Sequence, residues 1–172
     1  ASGFYTILYE LNDSVLEKAQ ASIEKSLQLL VEKNKIPAKA KEETLNSLKF
    51  SNNLHDCLGD VIIEAIIEKP EAKIALFNQL AEINHSETVF ASNTSSLSIS
   101  QIAKEVRNPE RVIGMHFFNP ATIMKLVEVV NTNYTNENTT QIILELVKLM
   151  NKTPVICKDS PGFIVNRVAR PF

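Results

Sequence analysis

A histidine and a glutamate lie at unusual positions in two apolar segments of this sequence. His116 falls near the end of the run 114–118 (GMHFF), and Glu128 falls inside the run 126–130 (LVEVV). An imidazole that acts as a general base needs a carboxylate on its far nitrogen, which fixes the tautomer and stabilises the imidazolium. Burying a carboxylate is costly unless it is paired. We therefore predict that Glu128 pairs with His116 from a neighbouring strand.

Other interpretations of these residues stay open. His116 could be an inert core histidine, and Glu128 could lie on an edge strand with one face in water. Ser95 adds the third residue type of a hydrolase triad. However, no Gly-x-Ser-x-Gly segment surrounds Ser95, so we expect it to donate a hydrogen bond to a ligand instead. His55 and His85 lie in polar surroundings and are expected at the surface.

Further polar residues follow directly after predicted strands, where ligands bind in an open parallel sheet. Glu10 ends the first strand, and a carboxylate there accepts hydrogen bonds from an adenosine ribose and repels a 2′-phosphate. This position favours NAD over NADP. The alternative is that strand ends become polar simply because they meet water. The residues at such positions are Glu10, Glu68, Ser92 to Ser96, His116 and Asn119.

A glycine-rich phosphate loop should precede Glu10 by about 20 residues, but only nine residues do so. The segment Ala1-Ser2-Gly3 fits the end of a helix that follows such a loop. The last residues, 170–172, come just after the predicted start of another helix. We therefore expect an N-terminally truncated domain followed by the beginning of a second one.

The elements that position these residues alternate between strands and helices. The strands are short apolar runs without polar alternation, which is typical of a parallel sheet covered by helices on both faces. We predict an α/β, Rossmann-like, doubly wound, mostly parallel sheet with a helical hairpin insertion. Ser14-x-x-Glu17 predicts the start of the first helix, which should end near Asn34. Predicted strands cover 5–10, 49–51, 61–67, 88–91, 111–117, 125–130 and 153–157, and the other helices cover 39–48, a segment from Pro70, a short segment after Ser98, and 135–150.

Composition excludes several classes of function. The 172 residues are 44% hydrophobic and 22% charged, with a net charge of −2, so no basic surface is expected to attract nucleic acid or an anionic membrane. No apolar run approaches the roughly 20 residues that span a bilayer. Cys57 and Cys157 fit no metal-ligand spacing, so we expect no metal site, reduced thiols and a cytoplasmic location.

Five segments together resemble the NAD-binding domain of the L-3-hydroxyacyl-CoA dehydrogenases. The resemblance runs in order over essentially the whole chain. It implies an NAD-binding domain over 1–158, with 159–172 as the linker and start of a C-terminal helical domain that forms a homodimer. The segments are 60–65 (DVIIEA), 92–99 (SNTSSLSI), 114–120 (GMHFFNP), 124–129 (MKLVEV) and 158–167 (KDSPGFIVNR).

The resemblance also implies oxidation of an L-3-hydroxyacyl-CoA to the 3-ketoacyl-CoA, with NAD as the hydride acceptor. His116 would remove the hydroxyl proton and Glu128 would hold the imidazole. Ser95 and Asn166 would position the substrate, with Ser95 also near the nicotinamide. The remaining implied contacts are Glu10, Glu68, Lys73 and Asn119 with NAD, and Ser26 and Lys33 with the CoA.

Two alternatives to a single-activity enzyme remain. The fold could be retained in a binding or structural protein without turnover, although the set of Ser95, His116, Glu128 and Asn166 argues against this. The chain could also be one module of a multifunctional fatty-acid oxidation enzyme.

Overall fold

The chain divides into two compact units, Ala1–Cys57 and Leu58–Phe172, and the computed structural model describes residues 2–169. In the first unit, two parallel strands are connected by the predicted helical hairpin. Lys41 joins the two helices by donating from Nζ to Gln28 Oε1 at 2.7 Å. The elements of this unit are β1 (Thr6–Tyr9), α1 (Asp13–Glu32), α2 (Ala38–Asn46) and β2 (Leu48–Ser51), followed by one 3-10 turn (Leu54–Asp56).

Helix α1 begins two residues earlier than a cap at Ser14 would place it. Asn12 is the N-cap, and its Oδ1 accepts hydrogen bonds from the backbone N–H groups of Ser14 and Val15. The predicted capping box is therefore wrong, because the Asn12 side chain already satisfies these first helical donors. The predicted end of the helix is confirmed, since Asn34 adopts the left-handed conformation with φ of 54°.

The second unit contains a five-stranded sheet with the order β3-β4-β5-β6-β7. Neighbouring strands are parallel except β5 and β6, which are antiparallel. The prediction of a mostly parallel sheet is thus confirmed. The elements are β3 (Val61–Glu64), α3 (Pro70–Ile83), β4 (Val89–Ser92), α4 (Ile99–Ala103), a 3-10 turn (Pro109–Arg111), β5 (Val112–Phe117), β6 (Leu126–Asn131), α5 (Glu137–Leu149), β7 (Thr153–Lys158) and α6 (Val165–Ala169).

Helices cover both faces of this sheet, as expected for a doubly wound fold. On one face, Met115 and Val129 join a buried cluster with Ile143 and Val147 of α5. Because side chains alternate along a strand, their neighbours point to the other face. There Phe90 of β4 meets Phe77 of α3 with ring centroids 5.4 Å apart. His116 and Glu128 occupy even-numbered positions on this second face.

Strand β3 is shorter than predicted, because it ends at Glu64 and not near Ile67. The Glu64 side chain accepts the backbone N–H of Ile66 at 2.7 Å, which turns the chain away from the sheet. Ile63 and Ile67 are exposed, so the apolar run does not indicate a strand buried on both faces over its full length.

The end of the second unit contains the predicted turn and helix start. Asp159 follows β7, and α6 carries Asn166. Of the predicted linker, 159–172, the last three residues lie outside the described residues, as does Ala1. No helix within residues 2–169 is long and apolar enough to cross a membrane.

Candidate active site

The predicted pair of His116 and Glu128 forms at the carboxyl end of β5. The two residues are directly opposite each other in the antiparallel register of β5 and β6, which places their side chains on the same face. His116 Nδ1 lies 2.7 Å from Glu128 Oε2. An ionised carboxylate can only accept, so the shared proton is carried by Nδ1 and the lone pair is left on Nε2. This tautomer is the one that a general base requires.

Glu128 is fully buried, with 0% of its surface exposed. It lies on β6, between β5 and β7, so the alternative of an edge strand with a wet face is wrong. Its second oxygen, Oε1, accepts the backbone N–H groups of Ile164 and Val165 at 2.9 Å each. The carboxylate therefore holds both the imidazole and the start of α6.

Two aromatic rings surround the imidazole. The centroid of Phe118 lies 4.6 Å from that of His116, and the centroid of Phe163 lies 5.7 Å away. Phe163 is buried and has a φ of 48°, directly after Gly162 with a φ of 73°. A bulky residue in the left-handed region is strained by about 1–3 kcal/mol. His116 itself is 6% exposed, so the imidazole lies in a largely apolar setting between these rings.

Asn166 and Ser95, both predicted substrate contacts, are joined by a hydrogen bond. Asn166 Nδ2 donates to the Ser95 carbonyl at 3.2 Å. Glu128 also accepts hydrogen bonds from the start of α6, the helix that carries Asn166. Helix α6 therefore connects Glu128 to Ser95 in the loop after β4. The arrangement places Ser95 and Asn166 in the same part of the second unit as the imidazole.

The loop after β4 is organised around Glu68. This carboxylate accepts hydrogen bonds from Thr94 Oγ1, from the Ser95 backbone N–H at 3.3 Å and from Ser96 Oγ at 3.1 Å. Partial burial acts to raise the pKa of Glu68, but the hydrogen bond from Thr94 and the positive charge of Lys73 outweigh it and hold that pKa below its usual value. With 41% of its side chain exposed, Glu68 is an ionised acceptor that a ligand hydroxyl can reach.

Lys73 lies behind Glu68 and is almost completely buried, with 1% of its side chain exposed. Its Nζ is 2.6 Å from Glu64 Oε1 and 3.3 Å from Glu68 Oε2. The ammonium therefore bridges a buried and a half-exposed carboxylate. Any direct contact between Lys73 and a cofactor stays a prediction.

Comparison with known proteins identifies the family. Residues 1–160 match the family model described as 3-hydroxyacyl-CoA dehydrogenase, NAD binding domain. The chain belongs to the 3-hydroxyacyl-CoA dehydrogenase family. It is 44% identical to 3-hydroxyadipyl-CoA dehydrogenase of Escherichia coli, over 99% of this chain and 36% of the relative. It is 41% identical to 3-hydroxybutyryl-CoA dehydrogenase of Clostridioides difficile, over 99% of this chain and 61% of the relative.

The fold of this 3-hydroxyacyl-CoA dehydrogenase domain is also found among solved structures. The structure of 3-hydroxybutyryl-CoA dehydrogenase from Escherichia coli K12 matches with a TM-score of 0.97 at 44% identity, over 99% of this chain and 36% of that chain. The Rossmann-like fold is thereby confirmed. The chain spans less than two thirds of the length of these relatives, 36% of one and 61% of the other.

The other predicted contacts are Asn119 in the second unit and Glu10, Ser26 and Lys33 in the first unit. Asn119 is exposed in the turn after β5. Glu10, in the first unit, is half-buried after β1, where its Oε1 accepts the Asn12 backbone N–H at 3.0 Å. Ser26 is exposed on α1 and donates to the Ser22 carbonyl, while Lys33 is the C-cap residue of that helix. The ligand roles of these four residues stay predictions.

Two further polar residues near these side chains, Glu64 and Asp159, were not predicted from the sequence, whereas Ser92 was among the polar residues expected after strands. Glu64 and Ser92 face each other at the ends of β3 and β4, with Ser92 Oγ donating to Glu64 Oε2 at 2.7 Å. Asp159 Oδ2 accepts from Ser98 Oγ and from the Ser100 backbone N–H, both at 2.7 Å. Glu64 could have been predicted as a buried carboxylate with a partner, because it interrupts an apolar run just as Glu128 does.

Proposed function

We propose that the complete protein oxidises an L-3-hydroxyacyl-CoA, such as 3-hydroxybutyryl-CoA, to the 3-ketoacyl-CoA with NAD in fatty-acid metabolism. The observation that carries this proposal is the buried contact of 2.7 Å between His116 Nδ1 and Glu128 Oε2. The family membership of the chain supports the choice of reaction.

In the proposed mechanism, His116 Nε2 accepts the proton of the substrate 3-hydroxyl group. Glu128 keeps the other ring proton on Nδ1 and stabilises the positive charge that develops on the imidazole. Phe118 and Phe163 limit water around the ring, which strengthens this charge interaction. A bound NAD would supply the hydride acceptor for the substrate carbon that carries the hydroxyl group.

The cofactor fits the polar groups that are present. Carboxylates accept hydrogen bonds from ribose hydroxyls, and Glu68 has an exposed carboxylate at the end of the sheet where such ligands bind. Glu10 offers a second carboxylate in the first unit. We assign NAD contacts to Glu10, Glu68, Lys73, Ser95 and Asn119.

For the substrate, we assign the region of the hydroxyl and thioester groups to Ser95 and Asn166. The hydrogen bond between Asn166 Nδ2 and the Ser95 carbonyl supports a joint role. Ser26 and Lys33, on the exposed side of α1 and at its end, are assigned to the CoA. A lysine can meet a CoA phosphate as a point charge.

The test is a spectrophotometric assay of NADH consumption with acetoacetyl-CoA, using the complete protein. His116→Gln is expected to lower turnover by about 100-fold or more, which is the usual contribution of a general base, while NADH binding is retained. His85→Gln is the matched control, because His85 is an exposed histidine of the same unit. It should show wild-type turnover.

The assay separates the alternatives. Unchanged turnover in His116→Gln would refute the proposed base. A wild-type protein that binds NADH but shows no turnover would support the non-catalytic alternative.

We further propose that residues 1–158 act as the NAD-binding domain and that 159–172 lead into a C-terminal helical domain through which the complete protein forms a homodimer in the cytoplasm. The family-model match over residues 1–160 supports this boundary. Light scattering of the complete protein and cell fractionation test the two claims, and a monomer or a membrane-bound or organelle-bound protein would contradict them. Neither nucleic acid nor membrane is proposed as a partner.

A further inference from the structure

Resting on the proposed NAD site, we infer that Glu64 is a positioning residue for the cofactor. It acts through Lys73 on Glu68, and it does not itself contact the ligand. The three side chains form a continuous charged chain, defined here as the Glu64–Lys73–Glu68 relay, that runs from the core to the surface.

The inner end of the relay is saturated with hydrogen bonds. Glu64 Oε1 accepts from Lys73 Nζ at 2.6 Å and from the Ile66 backbone N–H at 2.7 Å, and Oε2 accepts from Ser92 Oγ at 2.7 Å. The Glu64 carbonyl also accepts the Asn93 backbone N–H at 2.8 Å. Glu64 therefore fixes the turn after β3 and the end of β4 at the same time.

The ammonium group of Lys73, in the middle of the relay, already has a partner for each of its donors. An ammonium group has three protons to donate, and Lys73 Nζ has three acceptors: Glu64 Oε1, Glu68 Oε2 and the Ile66 carbonyl at 3.4 Å. Because Lys73 is 1% exposed, water does not replace any of them readily. The position of the ammonium is set by the buried carboxylate.

The outer end of the relay faces the ligand side. Glu68 is the half-exposed member, and the same carboxylate gathers Thr94, the Ser95 backbone and Ser96. Its position therefore depends on the Lys73 charge behind it. A buried ion pair is seldom needed for stability alone, since apolar residues can often replace it without loss. Here Lys73 of the buried pair also contacts Glu68, a carboxylate of the proposed cofactor site.

The experiment measures the dissociation constant of NADH by fluorescence, together with kcat at saturating NADH and KM for acetoacetyl-CoA, in the complete protein. Glu64→Gln is isosteric and removes the charge behind Lys73. We expect the NADH dissociation constant to rise about tenfold, as for the loss of one charged hydrogen bond. The values of kcat at saturating NADH and of KM for acetoacetyl-CoA should change far less than the NADH dissociation constant does.

A double-mutant cycle with Glu68→Gln tests the route of the effect. If Glu64 acts through Glu68, Glu64→Gln should weaken NADH binding far less in the Glu68→Gln background than in the wild type. Additive effects would indicate a purely structural role and would overturn the inference.

Thr139→Val is the control for lost stability. Thr139 is buried in α5, away from the relay, and its Oγ1 donates to the Glu110 carbonyl at 3.0 Å. This variant should unfold more easily than the wild type and still bind NADH normally. An equal loss of NADH affinity in Thr139→Val and Glu64→Gln would overturn the inference.

If Glu64→Gln does not fold, Glu64→Asp takes its place, because the shorter carboxylate cannot reach both Lys73 and Ser92. If the Glu64 variant binds NADH with wild-type affinity, this inference is overturned and the proposed function is not. Absence of NADH binding in the wild type would overturn the proposed function as well, so the two failures are distinguishable.

Discussion

His116 and Glu128 face each other across β5 and β6, with Nδ1 and Oε2 2.7 Å apart. Residues that are directly opposite in an antiparallel pair lie on one face with their Cβ atoms about 5 Å apart. The geometry of the proposed base is therefore set by the register of two buried strands and not by a loop. Any change that slips this register would separate the pair completely.

Glu128→Gln should abolish the base without releasing α6. The Gln carbonyl oxygen can still accept from the Ile164 and Val165 N–H groups, which leaves the NH₂ group to donate to His116 Nδ1. The ring proton then moves to Nε2, the atom that must accept the substrate proton. We expect kcat to fall about 100-fold or more, measured by NADH consumption, with little change in NADH affinity.

Glu128→Ala provides the comparison, because it removes both sets of hydrogen bonds. Its melting temperature should be clearly lower than that of Glu128→Gln. Equal melting temperatures would argue against a role of Glu128 in holding α6.

Asn166→Asp should impair substrate use. Asp cannot donate to the Ser95 carbonyl, which now accepts from Asn166 Nδ2 at 3.2 Å, and it places a negative charge beside that oxygen. The expected result is a fall in kcat/KM for acetoacetyl-CoA of about tenfold. Asn133→Asp makes the same charge change at an exposed position and should have no effect. A normal kcat/KM in Asn166→Asp would contradict the assignment.

Gly114→Ala should destabilise the fold through a steric clash. A Cβ at this position would lie 2.7 Å from Val130 Cβ and 3.1 Å from Ile99 Cγ1. Both neighbours are buried, so the free energy of unfolding should decrease by about 1–3 kcal/mol, measured by urea denaturation. Gly59→Ala is the control, because its Cβ would meet only the Val61 carbonyl oxygen, at 3.7 Å.

Val130→Gly should rescue part of this loss, since it removes the two closest atoms, Val130 Cβ at 2.7 Å and Cγ2 at 3.0 Å. The double variant is expected to be more stable than the sum of the two single changes predicts. If the two changes in the free energy of unfolding are strictly additive, the clash is relieved by movement of other residues.

Cys157 should make the free energy of unfolding decrease as the pH becomes alkaline. Burial, followed by the nearby negative charges of Glu128 and Asp159, raises the pKa of its thiol from 9.0 to about 11. Between these values the unfolded chain loses the proton and the folded protein keeps it. The stabilisation is therefore complete below about pH 9 and is lost as the pH rises towards 11.

Urea denaturation between pH 8 and pH 11.5, roughly the range spanned by the two pKa values, measures this dependence. Cys157→Ser has no thiol at this position and should show a shallower decline in stability than the wild type. Identical pH profiles for the two proteins would contradict the assigned shift.

The order and type of the elements could be predicted because apolar periodicity is a local property of the sequence. The extent of β3 could not, because the strand ends where the Glu64 side chain takes the Ile66 N–H. The position of Glu64 in turn depends on Lys73 and Ser92, which come from later elements. The antiparallel pairing of β6 could have been predicted more fully, since the eight residues 118–125 between β5 and β6 are too few for a parallel crossover.

The pair of His116 and Glu128 could be predicted because a carboxylate in an apolar run needs a partner. The same reasoning applies to Glu64, but the family resemblance assigns its partner Lys73 to the cofactor. The bond from Asn166 to the Ser95 carbonyl depends on the backbone path from β7 to α6, which includes two consecutive residues with positive φ. Sequence periodicity contains no information on such a path.

Phe163 shows that the backbone and the imidazole demand different residues at the same position. Its φ of 48° is a conformation for which glycine is the least costly choice, yet its ring lies against His116. Phe163→Gly would relax the turn and at the same time open the imidazole to water. Removing a buried phenylalanine side chain costs about 3–5 kcal/mol, and Phe163 is buried. The packing of its ring therefore outweighs the backbone strain and keeps the turn in this unfavourable conformation.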